Sequence, residues 1–149
     1  MFQQSQHLHT DAFSIFISAF NYGLQTRRAT ILLPYHSTID TLVKLFYKKQ
    51  HLLSYKYVTC PVSKNGTVVE LSFIEATLNY YQNQVAVIQR LRSLYLPSRK
   101  LYVSHHTLLN KPQRYPNLGK LLVSTKRGLL WGNECVQFKL GGFLICELL

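Results

Sequence analysis

The chain has 149 residues, 47% of them hydrophobic, with 17 Lys and Arg against 6 Asp and Glu and a formal net charge of +11. That length allows one compact domain or two small lobes with a buried core, and that charge attracts polyanions: nucleic acid or an anionic membrane surface. No run of about 18 apolar residues is present to span a bilayer, no two of Cys60, Cys135 and Cys146 share metal-ligand spacing, and the six acids show no paired catalytic spacing.

The odd, widely separated cysteines predict reduced thiols in a reducing compartment. The charge is uneven: ten cations and two acids from Val85 onward, seven and four before it. The second half is therefore the stronger polyanion binder.

Residues 1–9 read as a loose polar arm. His7 and His9 have no further ligands nearby, so no metal site is expected. The amino terminus, MFQQSQHLHTDAF, has neither a secretory signal nor an Arg-rich presequence; the expectation is a chain made where it works, or one that has lost its signal. Thr10 or Asp11 is placed to cap a first helix with Phe13, Phe16, Ile17, Phe20 and Leu24 on its apolar face. Asn21, Arg27 and Arg28 lead out of it into a strand, Ala29 to Leu33, stopped by Pro34. Ser37 to Asp40 resembles a capping box and opens a second helix with Ile39, Leu42, Val43 and Phe46 buried. Lys48 and Lys49 at its end suit either the helix dipole or an RNA contact. Leu52–Cys60 and Thr67–Ile74 read as strands joined by an Asn65-Gly66 type I′ turn. The order helix, strand, helix, strand, strand predicts an α/β layer, followed by a linker at Asn79–Gln84.

Val85 to Val103 is β-prone, carries Arg90, Arg92, Arg99 and Lys100, and is interrupted by Pro97, so it is bent or at an edge. Tyr95 and Tyr102 interleave with these cations, as in an RNA-facing strand; rings that merely complete a sheet are the other reading. His105-His106 and Lys111–Asn117 read as loops. The organising stretch is Leu118 to Gly142: a strand at Leu121–Val123, a polar turn at Ser124-Thr125-Lys126-Arg127-Gly128, a strand at Leu129–Trp131, a short helix and a glycine pair. Hydroxyls can bond phosphate, sugar or base edges, cations neutralise phosphate, and glycine permits close approach. An ordinary solvated hairpin tip has the same composition. Leu144–Cys146 closes the chain as a strand.

That stretch resembles the small-subunit ribosomal protein family eight, the bacterial-type family that binds the central domain of small-subunit rRNA. Leu118-Gly119, Ser124-Thr125, Gly128 and Gly141-Gly142 fit its pattern without a gap. Asp11, Gly23 and Pro34 match its amino-terminal helix and strand, Asn21 with a one-residue shift, and Pro97, Lys100 and Tyr102 match its basic turn. Departures stand beside the matches: His36-Ser37 for Ser-Lys, Ser98 for Gly, Lys126 for a second Ser, Cys135-Val136 for Ala-Arg, and Phe143 for Glu.

The resemblance implies an α+β fold: an amino-terminal α/β lobe over 10–84 and a mainly β, rRNA-binding lobe with a short helix over 85–149. It implies a structural constituent of the small ribosomal subunit that binds the rRNA central domain and helps assemble the platform. Its partners would be small-subunit rRNA and neighbouring ribosomal proteins, with no catalysis, cofactor, metal, membrane or homo-oligomer. The RNA-binding residues it points to, together with nearby cations, are Ser124, Thr125, Lys126, Arg127, Gly128, Lys139, Gly141, Gly142, Arg99, Lys100, Tyr102, Asn21, Arg27 and Arg28. A Tyr-, Leu-, Asn- and Lys-rich composition with eroded family positions points to a mitochondrial ribosome, with plastid or bacterial cytoplasm as alternatives. The competing reading is a basic peripheral membrane or protein-interaction module without specific RNA recognition. The first helix, with no Lys or Arg from Asp11 to Thr26, suits it poorly.

Overall fold

The structure, a computed structural model, describes residues 12–96 and 98–149. The readings that fall on the first eleven residues, including the arm, the His7–His9 pair and the Thr10 or Asp11 cap, lie outside them, as does Pro97. The fold is α+β. It divides into two compact units: Ser18–Gln89, and Arg90–Leu149 with the described residues up to Ile17.

The Ser18–Gln89 unit holds the end of α1 (Ala12–Gln25), then β1 (Thr30–Pro34), α2 (Ser37–Lys48), β2 (Leu52–Lys64) and β3 (Thr67–Leu78). The strands form an antiparallel sheet in the order β1-β3-β2. Strand alternation turns Ile31 and Leu33 of β1 inward and Leu32 outward. Ile39, Leu42, Val43 and Phe46 of α2 recur at helical spacing and are buried as expected. Phe20 meets Phe46 edge-on at 5.6 Å. At Gly23 the helix lies so close to Ile31 that a Cβ would collide with its side chain.

Helix α2 begins one residue earlier than its Ser-x-x-acid signal suggests. His36 is the cap, its Nδ1 accepting from the Thr38 N–H at 3.2 Å. Asp40 instead accepts from Lys44 Nζ and Tyr57 Oη, each at 2.6 Å. Burial raises its carboxyl, but those two donors outweigh it and hold the pKa below the ordinary value.

The Asn65-Gly66 turn has both central residues at positive φ, 54° and 79°, as a type I′ turn requires. Both strands outrun their expected ends at Cys60 and Ile74, pairing from Leu52↔Leu78 to Lys64↔Thr67. Pro61 does not stop β2, because β2 is an edge strand, where a missing N–H is tolerated. The Asn79–Gln84 segment, read as a linker, folds back on its own unit. Tyr80 bridges Ala86, Asn79 Nδ2 donates to the Gln50 carbonyl at 2.7 Å, and Tyr80 Oη donates to the Arg28 carbonyl at 2.7 Å.

The other unit contains β4 (Leu91–Ser93), β5 (Tyr102–Val103), α3 (His105–Asn110), a 3₁₀ turn (Leu118–Lys120), β6 (Leu121–Thr125), β7 (Gly128–Trp131), α4 (Gly132–Gln137) and β8 (Gly142–Leu148). Its sheet runs β4-β8-β6-β7, and β5 also pairs with β8. The expected long strand over Val85–Val103 is thus two short ones, sharing one side of β8 at opposite ends. Between them, the Leu94 and Tyr95 N–H groups both donate to the Ile145 carbonyl, which breaks the ladder. His105-His106 is not a loop pair: it opens α3, capped by Ser104 Oγ, which accepts from the Thr107 N–H at 3.3 Å. The core joins Val103, Leu108, Leu121, Val123, Cys135 and Leu144.

Helices α1, α2 and α4 end in paired 6→1 and 5→2 backbone bonds without a glycine at the left-handed position. Arg27, Gln50 and Lys139 stand there at φ 51°, 61° and 54°.

All three cysteines are free. Burial, with Glu134 nearby, pushes the Cys135 thiol up to about 11, and burial pushes Cys146 up to about 12. At pH 8 neither forms appreciable thiolate. Iodoacetamide should label half-buried Cys60 alone in the native protein and all three thiols in denaturant. Native labelling of Cys135 or Cys146, followed by peptide mass spectrometry, would contradict this packing.

Candidate nucleic-acid interface

The expected hairpin forms as β6 and β7, with Thr125 paired to Gly128 and a two-residue turn of Lys126 and Arg127 between them. Gly128 has φ 102°, a conformation L side chains rarely adopt, which explains a glycine there. Thr125 Oγ1 accepts from the Arg127 N–H at 3.2 Å and donates to the Gly128 carbonyl at 2.9 Å. Its hydroxyl is therefore occupied in shaping the turn. Ser124 is different: its hydroxyl makes no hydrogen bond among the described residues.

Strand register separates the two hydroxyl residues further. Ser124 pairs with Phe143 and Leu129, and Phe143 pairs with Tyr102. Thr125 pairs with Gly142, and Gly142 pairs with Val103, which is buried. Paired residues share a face and successive residues alternate. Tyr102, Phe143 and Ser124 thus form one outward row across β5, β8 and β6, while Val103, Gly142 and Thr125 lie in the next row, on the core side.

The glycine pair makes this arrangement possible. A Cβ on Gly142 would collide with the Ser124 carbonyl, and one on Gly141 would lie 2.7 Å from Tyr102 Oη and 2.8 Å from the Val103 carbonyl. An open cleft of ≈ 280 Å³ lies here, lined by Tyr102, Ser124, Thr125, Lys126, the two glycines and Phe143. Three separate stretches picked out in the sequence converge on it.

The electrostatics leave the cations of this unit largely unopposed. The two acids among its described residues are engaged elsewhere: Glu147 pairs with Arg92 at 2.6 Å, and Glu134 Oε2 accepts the Trp131 N–H at the start of α4. Arg99, Lys100, Lys126, Arg127 and Lys139 are exposed and form no ion pair among the described residues. Arg127 lies 5.8 Å from the Phe138 ring centroid and Lys100 5.8 Å from that of Phe143. Lys139 sits at the left-handed residue ending α4.

Asn21, Arg27 and Arg28 belong to the Ser18–Gln89 unit, at the end of α1. Arg28 stacks 5.1 Å from the Tyr22 ring centroid, and Arg27 lines a second cleft with Ala29, Tyr80 and Gln84. Tyr80 and Gln84 escaped the sequence reading, because only the fold of the 79–84 segment brings them to Arg27. Phe143 was visible only as a departure; its place in the outward row follows from its register between Tyr102 and Ser124. Among the described residues no His, Cys, Asp and Glu group could hold a metal ion, and no helix is long and apolar enough to cross a membrane.

Thr125→Ala should lower unfolding stability by about 1 kcal/mol, the worth of its local hydrogen bonds, while Ser124→Ala should change it by less than about 0.5 kcal/mol. Gly142→Ala should cost more than either, about 1–3 kcal/mol, since backbone must yield. Urea unfolding of the three variants checks the order; equal losses for Ser124→Ala and Thr125→Ala would contradict the division between them.

Comparison with known proteins agrees with the geometry. Residues 11–149 match the family described as Ribosomal protein S8. The small ribosomal subunit protein uS8 of Nautilia profundicola is 30% identical over 76% of this chain and 79% of its own length. That of Borrelia turicatae is 36% identical over 52% of this chain and 57% of its own, and that of Protochlamydia amoebophila 27% identical over 92% and 96%. The chain therefore belongs to the ribosomal protein S8 family, whose members are structural components of the small ribosomal subunit.

Proposed function

We propose that the chain binds the central domain of small-subunit rRNA through the β5–β8–β6 face and the β6–β7 turn, and thereby helps assemble the platform of the small subunit. The observation that carries this is the convergence of Ser124, the glycine pair, Tyr102 and unopposed cations on one open cleft. The physical division of work is clear. Arg99, Lys100, Lys126, Arg127 and Lys139 supply salt-dependent attraction to phosphates. The A-form major groove is too narrow to read, so specificity comes from shape, 2′-OH groups and irregular bases. Ser124 offers a free hydroxyl for that purpose, and Thr125 fixes the backbone that presents it. Gly141 leaves the space beside Tyr102 bare, and Gly142 lets β8 lie close against β6. Asn21, Arg27 and Arg28 are proposed as further RNA contacts on the Ser18–Gln89 unit.

Neighbouring ribosomal proteins find a different kind of surface. Outward residues of β2 and β3 form an apolar strip that includes Val62, Val69 and Leu71, all exposed. An exposed apolar strip of this kind suits a protein contact. For the compartment, the composition and the departures at Lys126, Cys135-Val136 and Phe143 support a mitochondrial small subunit over a plastid or bacterial one.

The test is a filter-binding titration against a central-domain fragment of the cognate rRNA, with a scrambled RNA of equal length, at several salt concentrations. The cognate fragment should bind more tightly, and Ser124→Ala should narrow the difference. Lys126→Ser should lower the salt slope by roughly one unit, because it removes one phosphate partner. Equal binding to both RNAs would leave a general polyanion binder and overturn the proposal.

A further inference from the structure

The outer half of the β2–β3 hairpin runs past the end of β1. Strand β1 pairs with β3 from Thr30↔Thr77 to Pro34↔Phe73, and the Tyr35 N–H adds one bond to the Ser72 carbonyl. Beyond that point β3 pairs with β2 alone, as far as Lys64↔Thr67. Among the described residues, 67–71 therefore have an unpaired edge. Backbone groups along a strand point to alternate sides. Ser72 and Leu78 bond towards β1, so Val68 and Glu70 turn their N–H and C=O groups to that same side, past the last residue of β1. The opposite edge of the hairpin is blunted by Pro61, which has no N–H to offer. The β3 edge carries no such block, and Val68 on it is 72% exposed.

Charge marks the same edge. In a chain of net charge +11, Asp40, Glu75, Glu134 and Glu147 are each held by a donor of the protein itself. The carboxylate of Glu70 alone has no partner among the described residues, and it is exposed. An unpaired acid repels phosphate and attracts a cation. On the other face of β3, Val69 and Leu71 belong to the apolar strip with Val62.

Resting on the reading of that strip as a protein contact, we propose that the edge at 67–71 takes up an extended segment of a partner protein, of apolar–basic–apolar sequence, as an added antiparallel strand on the line that β1 leaves. Residues opposite Leu71 and Val69 lie beside the apolar strip. The residue between them lies opposite Glu70, where Lys or Arg completes a cross-strand ion pair. Main-chain bonds to Val68 and Glu70 supply the affinity, and the alternating side chains supply the choice of partner. A second copy of the same edge brings no cation to that place, since residues 67–71 include no Lys or Arg.

The probe is a blocked peptide, Thr-Val-Lys-Val-Thr, added at millimolar concentration to the ¹⁵N-labelled full chain. Amide shifts and slowed hydrogen exchange should centre on Val68 and Glu70. Methylating the lysine amide nitrogen, which faces β3 in this register, should abolish both changes. Methylating either valine nitrogen, which faces away, should leave them. Glu70→Lys should weaken this peptide roughly 2- to 5-fold and make Thr-Val-Glu-Val-Thr the better ligand. Circular dichroism checks that the variant folds, as expected for an exposed position. Shifts along Val62, Val69 and Leu71 that ignore the methylation would overturn the added strand and leave the strip as a protein contact. No response anywhere on the hairpin would overturn both. The same protection in concentrated protein without peptide would make a second copy the occupant and overturn the proposal as well.

Discussion

Close backbone approach at Gly142 is the constraint on which the site depends. This residue pairs with Val103 on one side and Thr125 on the other, with the Ser124 carbonyl where a Cβ would go. Any side chain there would force β8 away from β6. The Tyr102–Phe143–Ser124 row would then separate, and the turn would lose its support. Gly132 plays a related part at the other end of the β6–β7 hairpin, where a Cβ would lie 2.6 Å from the Leu118 carbonyl. Glycine spacing in this stretch is thus a record of backbone packing.

Around that packed centre the polar groups divide their roles. Thr125 is turned inward to the turn itself, and Ser124 remains free. The two acids among the unit's described residues are held by Arg92 and by the start of α4, so they do not offset the cations near the cleft. The surface that results is positive at its rim, apolar on its outward row and bare on its floor. Such a surface is suited to attract a polyanion at long range.

Local signals made much of this legible. Asn65-Gly66 forms the expected turn because both its residues tolerate positive φ, and α2 buries the four residues its spacing picks out. The hairpin and glycine pair were found because their spacing is tight and gapless. What escaped the sequence was set by distant partners. Val85–Val103 reads as one strand, yet its pairing is decided by β8, some fifty residues later. Arg27, Gln50 and Lys139 end helices where glycine is the usual signal, so those ends carried no glycine mark. Ser124 and Thr125 read as a unit, and only strand alternation shows that they lie in different rows. Phe143 gained meaning from its neighbours across the sheet and not from those along the chain.

The most direct measurement is amide chemical-shift mapping of the ¹⁵N-labelled protein with the cognate central-domain fragment. The account predicts the largest changes at Tyr102, Ser124 to Gly128 and Gly141 to Phe143, with small ones over the β2–β3 hairpin. Changes spread evenly over the exposed cations of both units, or centred on the hairpin, would contradict it.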